Sequence, residues 1–220
     1  MKRVQLRYED MPTIEGEEYL IRARVVSNDE NRKSHWVYFK VPNYKESAPP
    51  FNAASGGIET TDLNYRNSGE AWKIHKYETG TEKVFTPTSF ERPFLVLIAA
   101  GGNGANYYVG ETNPGGEVIE QEFTINGGLT SADIVVGSGG AGGQNNKQPG
   151  QPSTFLGVTA SPGGTPGAPV ASSITGSEVL YGGISNGAGT YGRGGNGAAN
   201  SGQGGQPGVI IIAYKIADAE

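Results

Sequence analysis

Glycine runs that lead directly into apolar strands are the feature that most constrains the fold of this chain. The last run, within "YGRGGNGAANSGQGGQPGVIIIAYKI" at 191–216, precedes an apolar stretch of strand length at 208–216. Flexible linkers are rich in Gly and Ser, whereas these runs also contain Asn, Gln, Ala and Pro. A linker does not normally end in a core strand. We therefore expect the run to be ordered and packed.

The glycines are concentrated in the second half of the chain. Residues 1–100 hold five of the 36 glycines, and residues 101–220 hold the other 31. The second half also carries only 3 of the 17 basic and 8 of the 22 acidic side chains. Disordered segments combine low hydrophobicity with high net charge, which does not describe this half. Packed glycine segments can instead form left-handed helices with three residues per turn that bond to one another through backbone groups.

The apolar pattern predicts a mostly β fold with little or no helix, because no segment keeps a 3.6-residue period over three turns. We expect an N-terminal β module and linker over 1–80. It contains a strand at 4–8, a hairpin from 19–27 and 35–41, a linker at 43–70 and a strand at 71–78. We expect a glycine-rich β domain with packed glycine loops over 81–220. Its predicted strands are 81–87, 93–100, 117–125, 132–137, 153–160, 177–183 and 208–216.

Composition argues against several classes of function. The sequence contains no Cys and only two His, which is too few ligands for a structural zinc site. A net charge of −5 argues against a sequence-independent grip on nucleic acid. The longest apolar run, 94–100, has the length of a strand rather than of a membrane span, and the first residues show no signal peptide. We expect no metal, no cofactor, no nucleic acid partner, no membrane insertion, and synthesis in a cytoplasm.

No group of residues predicts an enzyme. The stretch "FLVLIAAGGNGANYY" at 94–108 begins like a dinucleotide-binding loop, but Tyr107 occupies the third glycine position and no helix follows. His35 and His75 are interpreted as ordinary surface or hairpin residues. Glu120 and Glu122 share one face of a strand, with Cα atoms about 7 Å apart, and a solvated strand face explains them.

Aromatic side chains in the glycine loops are a better functional signal. Tyrosine provides contact area at a small entropy cost, and loops on a rigid scaffold commonly carry recognition. A competing interpretation is that these rings cover the thin edges of a glycine layer. The candidate receptor contacts are Tyr107, Tyr108, Tyr181, Tyr191, Asn103 and Arg193.

The glycine-rich half resembles the glycine-rich domain of bacteriophage minor tail and tail-tip (fibre) proteins over about 83–216. The order and spacing of its blocks carry the resemblance, since each glycine run alone is a weak signal. The blocks are "KVFTPTSFERPFLVLIAAGGNGAN", "GGEVIEQEFTINGG", "ADIVVGSGGAGG", "GQPSTFLGVTASPGG" and "GGQPGVIIIAYKI".

The resemblance implies a virion structural protein with no enzymatic activity, located in the tail and assembled in the host cytoplasm. Its displayed domain would contact the host surface, and its partners would be other tail proteins and a host cell-surface glycan. We expect a homo-oligomer, with a trimer as the first hypothesis, because closed symmetry buries strand edges. The candidate residues for virion attachment are Trp36, Tyr38 and Phe39.

Three alternatives remain open from the sequence. The chain could be a carbohydrate-binding module within the same virion, or a head decoration or capsid fibre protein. A glycan-degrading enzyme is the third, and Glu120 with Glu122 is the carboxylate pair that it would use.

Overall fold

The computed structural model divides the chain into two compact units, Met1–Ala48 and Pro49–Glu220. For residues up to 41, the description covers the backbone. The described residues are 3–8, 19–26, 37–41, 51–79, 84–89, 92–106, 113–125, 129–143, 147–163, 168–184, 190–195, 197–198 and 201–217.

The first unit contains an antiparallel sheet of three strands. Strand β1 spans Arg3–Tyr8, β2 spans Tyr19–Val26 and β3 spans Val37–Val41. The strands lie in the order β1-β2-β3. The predicted hairpin of β2 and β3 is confirmed, with Tyr19 opposite Val41 in its register.

The second unit contains two five-stranded antiparallel sheets. The first sheet has the strand order β5 (Ile58–Asp62), β6 (Ala71–Tyr77), β17 (Val209–Ala217), β8 (Phe94–Ala99) and β9 (Val118–Phe123). The second has the order β12 (Val158–Ala160), β11 (Ser153–Phe155), β10 (Ala132–Val135), β7 (Val84–Ser89) and β4 (Ala53–Ser55).

Two small hairpins and one helical turn complete the described elements. The hairpins pair β13 (Val170–Ser172) with β14 (Val179–Tyr181), and β15 (Gly197–Ala198) with β16 (Ser201–Gly202). Tyr65–Asn67 forms a 3-10 turn. The fold is therefore mostly β, and the described residues contain no α-helix.

Strand β17 is the centre of the first sheet and is buried on both faces. On one face, Ile210, Ile212 and Tyr214 pack in a cluster with residues of the second sheet, such as Phe85 and Phe155. On the opposite face, the other residues of the strand pack against Tyr65, Ile174, Tyr181 and their neighbours. The apolar run at the C-terminus predicted this two-sided burial, which is confirmed.

Two predictions about local structure were wrong. The predicted linker at 43–70 contains strands β4 and β5, which are short and largely exposed and so lack an apolar signature. The predicted single strand at 153–160 is a hairpin of β11 and β12. Leu156 and Gly157 turn the chain there with φ angles of 46° and 80°.

Strands from the expected N-terminal part, 1–80, lie in the second compact unit. Strand β6 pairs with β17 along most of its length, from Ala71 opposite Ala217 to Tyr77 opposite Ile210. Strand β4 pairs with β7 in the second sheet. The boundary between the two units falls between Ala48 and Pro49 in the sequence, whereas the sequence-based division lay at residue 80.

Six segments that are neither helix nor strand form a glycine layer. Five of them continue one common end of the two sheets, because they follow β8 and β10 or lead into β9, β11 and β17, whose neighbours run antiparallel. The sixth, 192–195, joins them through backbone hydrogen bonds such as that from Gly195 to the carbonyl of Asn103. The segments of the glycine layer are 101–105, 113–116, 137–143, 148–151, 192–195 and 203–208.

Backbone hydrogen bonds in the glycine layer repeat every three residues. Within 101–105, N–H groups three residues apart donate to the same neighbouring segment, and consecutive N–H groups donate to different ones. A helix with three residues per turn has this property, so the predicted packing of the glycine loops is confirmed. The bonds are Gly101 to Gln151 O (3.0 Å), Gly104 to Gln148 O (2.9 Å), Gly102 to Gln206 O (3.0 Å), Ala105 to Gln203 O (2.9 Å) and Asn103 to Pro114 O (3.2 Å).

The close approach of these backbones explains why the layer is made of glycine. A Cβ atom built on Gly101 would lie 2.0 Å from the carbonyl oxygen of Ser138, and one on Gly104 would lie 2.0 Å from that of Ala141. Real Cβ atoms essentially never come within 3.0 Å of another heavy atom. A side chain is therefore excluded at each of these two positions.

Candidate functional site

A pocket of about 260 Å³ lies where three chain segments of the glycine layer meet. Its lining combines amide side chains, which both donate and accept hydrogen bonds, with proline rings and one lysine. Such a lining presents hydrogen-bonding groups together with apolar surface. The lining residues are Asn103, Gly104, Asn113, Pro114, Lys147, Gln148 and Pro149.

Asn103 is fixed in place by the layer around it. Its Oδ1 accepts a hydrogen bond from the N–H of Gly150 at 3.0 Å. Its own carbonyl accepts from the N–H of Gly195 at 2.7 Å. The side chain is half-buried, so this predicted receptor contact lines the pocket and also ties two segments of the layer together.

Asn113 is the most buried polar side chain of the pocket, with 4% of its surface exposed. Its Nδ2 has no hydrogen-bond acceptor within the described part of the chain. A buried donor without an acceptor costs roughly 1–3 kcal/mol. The residue lines the pocket, and this donor atom is itself shielded from solvent.

Three of the lining residues are exposed. Lys147, Gln148 and Pro149 all present their side chains to solvent. The backbone of Gln148 is held by the layer, since its carbonyl accepts from Gly104 and its N–H donates to Ala141 O at 2.9 Å. A fixed backbone with an exposed side chain is the arrangement of a binding surface.

One of the three lining segments lies in a stretch of the sequence with few charged residues. Between Ile134 and Tyr214, the charged side chains of the sequence are Lys147, Glu178 and Arg193. The pocket lining includes one of them, Lys147.

Tyr181, one of the predicted receptor contacts, belongs to the core. It is 1% exposed, and burial raises its pKa to about 12. Its ring stacks on that of Tyr191 with centroids 6.1 Å apart. A ring that is buried in this way cannot touch a receptor, so Tyr181 is a core residue that packs against the first sheet.

Tyr191 is half-buried and uses its hydroxyl inside the protein. The hydroxyl donates to Oε1 of Glu78 and accepts from Nζ of Lys76 at 3.3 Å. Burial, followed by the hydrogen bond to Glu78, raises the pKa of Tyr191. These contacts fasten the start of segment 192–195 to the end of β6, which is a structural role.

The other predicted contacts are only partly placed by the structure. Arg193 is half-buried, and its carbonyl accepts from the N–H of Gln206 at 2.8 Å within the layer. In the first unit, the backbone of Tyr38 lies opposite Arg22 and that of Phe39 opposite Ile21. Tyr107, Tyr108 and Trp36 lie outside the described residues.

His75 differs from its sequence-based interpretation as an ordinary surface residue, because it is 0% exposed. Its Nδ1 lies 2.8 Å from the carbonyl oxygen of Gly56 and must therefore carry a proton. Its Nε2 lies 2.9 Å from the hydroxyl of Tyr214, which in turn accepts from the N–H of Ala54. Burial lowers the pKa of His75, so the ring is neutral in the fold.

Among the described residues, no group of three or more His, Asp or Glu side chains is placed to hold a metal ion. Glu120 and Glu122 are exposed on β9, as a solvated strand face requires. Within the same described part, no helix is long and apolar enough to cross a membrane.

The sequence did not reveal most of the pocket. Asn113, Lys147 and Gln148 come from two loops that are separated by some thirty residues in the sequence. An Asn or Gln followed by Pro, as in "TNPGG" and "KQPGQP", was the available signal. It marks a turn in many proteins and does not by itself indicate a site.

Comparison with known proteins gives no relative from which to infer a function. No protein-family model matches this chain, and no curated protein matches its sequence.

Proposed function

We propose that this chain is a structural protein of a bacteriophage virion, a minor tail or tail-tip component that displays its glycine-rich domain to the host surface. The observation that carries the proposal is the glycine layer, in which segments from across the second half of the chain pack through backbone hydrogen bonds at one end of a two-sheet core. The block order that resembles phage tail proteins runs through the same segments.

A packed glycine layer suits display on a particle. Its segments are held by many interlocking backbone bonds, so the chain between them starts and ends at fixed points. The chain between 101–105 and 113–116 contains Tyr107 and Tyr108, and both of these segments contribute to the pocket. Recognition on a rigid scaffold loses less entropy on binding.

The first unit would attach the protein to other tail proteins, through the aromatic strand that contains Tyr38 and Phe39. Copies of the chain would form a homo-oligomer, with a trimer as the first hypothesis, because tails are built on rotational symmetry. Static light scattering of the purified chain tests this point. A monomer in solution, together with no symmetric copies in the particle, would contradict it.

A cryo-electron microscopy map of the particle that contains this chain tests the proposal directly. We expect symmetry-related copies at the tail or tail tip, with the glycine layer facing outward. Density on the head would instead support a head decoration or capsid fibre protein. Absence of the chain from purified particles would refute a virion role.

A further inference from the structure

We propose that one face of the sheet in the first unit, on which the strand register collects five cationic residues and Tyr38, docks an acidic patch on the surface of another protein. That this other protein belongs to the virion rests on the proposed function. The chemistry of the face stands independently of it.

The register of β1, β2 and β3 divides their residues into two faces. Residues directly opposite each other in neighbouring strands share a face, and successive residues of a strand alternate between the faces. One face is apolar or aromatic at all ten of its positions, from Val4 and Leu6 on β1 to Phe39 and Val41 on β3. An antiparallel sheet of this pattern packs its apolar face and leaves the other face to solvent or to a partner.

The other face, which we call the cationic face, carries the positive charge of the sheet. None of the three strands contains an Asp or a Glu, so no acidic residue within the sheet offsets these cations. The cationic residues are Arg3 and Arg7 on β1, Arg22 and Arg24 on β2, and Lys40 on β3.

Arg7 and Arg22 make this face an anion site in particular, because they are register partners on adjacent strands. Directly opposite residues have Cβ atoms about 4.5–5.5 Å apart, and like charges at such positions are destabilising. Arg24 lies on the same face, two residues and about 7 Å along β2 from Arg22. An anion between these residues would replace repulsion by attraction, and a carboxylate matches the forked geometry of a guanidinium group.

The composition of the cationic face favours a protein as the partner. Four of its five cations are Arg, and Arg and Tyr are enriched at protein–protein interfaces, whereas Lys is depleted there. The face is also small, since Arg3 and Arg7 lie about 14 Å apart along β1 and the three strands together span about 10 Å. A compact cluster of carboxylates on a folded protein has this size.

The acidic residues of the first unit argue against an extended polyanion such as a nucleic acid. Residues 1–48 hold nine basic and eight acidic residues, so the unit as a whole offers little net attraction. Five of the acidic residues belong to the β1–β2 connection at 9–18, and Asp29 and Glu30 belong to the β2–β3 connection. A long polyanion would pass from the cationic face onto these connections, whereas a compact acidic patch would not.

The test measures binding of a fluorescein-labelled decaglutamate peptide to the purified full-length chain by fluorescence anisotropy. A labelled thymidine oligonucleotide of the same length is the nucleic-acid probe. We expect the peptide to bind at about 50 mM salt and to lose most of its binding at about 500 mM, because salt screens exposed charges. Shifts of the backbone amide signals of β1, β2 and β3 report where the peptide binds.

Two variants and one matched control locate the site. Arg22→Gln and Arg24→Gln should each weaken peptide binding about threefold, the loss expected for one exposed ion pair. Lys45→Gln removes the same charge from the same unit but outside its strands, and it should bind the peptide as the original chain does.

Charge reversal at Arg22 tests the register pair through stability as well as binding. Arg22→Glu places a carboxylate opposite Arg7, so thermal stability should rise while peptide binding falls. Arg24→Glu lies opposite Gln5, so it should weaken binding with a smaller gain in stability.

The outcomes separate this inference from the proposed function. No peptide binding at millimolar chain concentration, as expected if the acidic connections neutralise the face, would overturn the inference and leave the virion role standing. Equal weakening by Arg22→Gln and Lys45→Gln, or tighter binding of the oligonucleotide than of the peptide, would overturn it too. Peptide binding at the cationic face by a chain that purified particles lack would support the inference and refute the virion role.

Discussion

Single glycines in the layer differ sharply in what they tolerate. A Cβ atom on Gly205 would lie 2.0 Å from the carbonyl oxygen of Gly102, whereas one on the adjacent Gly204 would lie 3.1 Å from that of Gly140. Gly205→Ala must displace backbone, so we expect it to lower the free energy of unfolding by about 3 kcal/mol. Gly204→Ala should cost less than about 1 kcal/mol. Urea unfolding of the two variants measures this difference, and equal losses would contradict the packing.

Protonation of His75 should destabilise the second unit. In the fold the ring is buried and neutral, and its pKa lies below the ordinary value of 6.5. The unfolded chain therefore binds more protons below pH 6.5, so stability should be complete above that pH and fall as the pH drops. The groups that face the ring are Tyr214, Glu59, with Oε1 3.9 Å from Nδ1, and Lys73.

Urea unfolding between pH 7.5 and 5 measures this effect. A His75→Gln variant is the control, because its side chain does not titrate in this range. It should start less stable and show a flatter pH profile. Glu59, whose pKa is lowered first by its hydrogen bond to Lys73, adds a further loss only below its ordinary value of 4.5. A parallel pH profile for both proteins would contradict the role of His75.

At the scale of the element, the last glycine run should behave as folded structure. The N–H groups of Gly192, Gly205, Gln206 and Gly208 all donate to backbone carbonyls at 2.7–2.8 Å. We therefore expect their amide hydrogens to exchange with solvent more slowly than that of Leu63, which lies in a turn with 74% of its surface exposed. Hydrogen-exchange NMR checks this, and exchange at the rate of an unstructured peptide would refute the packed-run hypothesis.

Elements with a strong apolar signature could be predicted from the sequence. Strands β8 and β17 are continuous apolar runs, and burial on both faces follows directly from that pattern. Strand β5, "IETTD", was missed because its residues are polar and largely exposed, and its pairing with β6 determines its conformation. This is tertiary context overriding a weak local signal.

The glycine layer shows a different limit. The low charge of these segments and the strands beside them predicted that the layer is packed. They did not predict which segments pair, because paired glycines have no side-chain pattern in the sequence. The pocket depends on that pairing, since it joins Asn103, Asn113 and Gln148 from three segments. Of its lining, the sequence identified Asn103 as a contact residue and missed the others.

At the scale of the whole molecule, the second unit should fold without the first. The pairings of the two five-stranded sheets, from β4 to β17, lie within Pro49–Glu220. A fragment of residues 49–220 should therefore give a cooperative thermal transition and amide NMR signals that match those of the full chain for 92–106 and 203–217. If the fragment shows the narrow signal dispersion of an unfolded chain, the second unit does not fold independently of the first.

The three-residue repeat of the glycine layer restricts how its segments can shift along one another. In a β-strand, a slip of two residues restores the side-chain faces. In segment 101–105, a slip of one or two residues would aim every N–H at the wrong neighbour, and a slip of three would restore the pattern. We therefore expect changes of length inside the layer to be tolerated in steps of three residues.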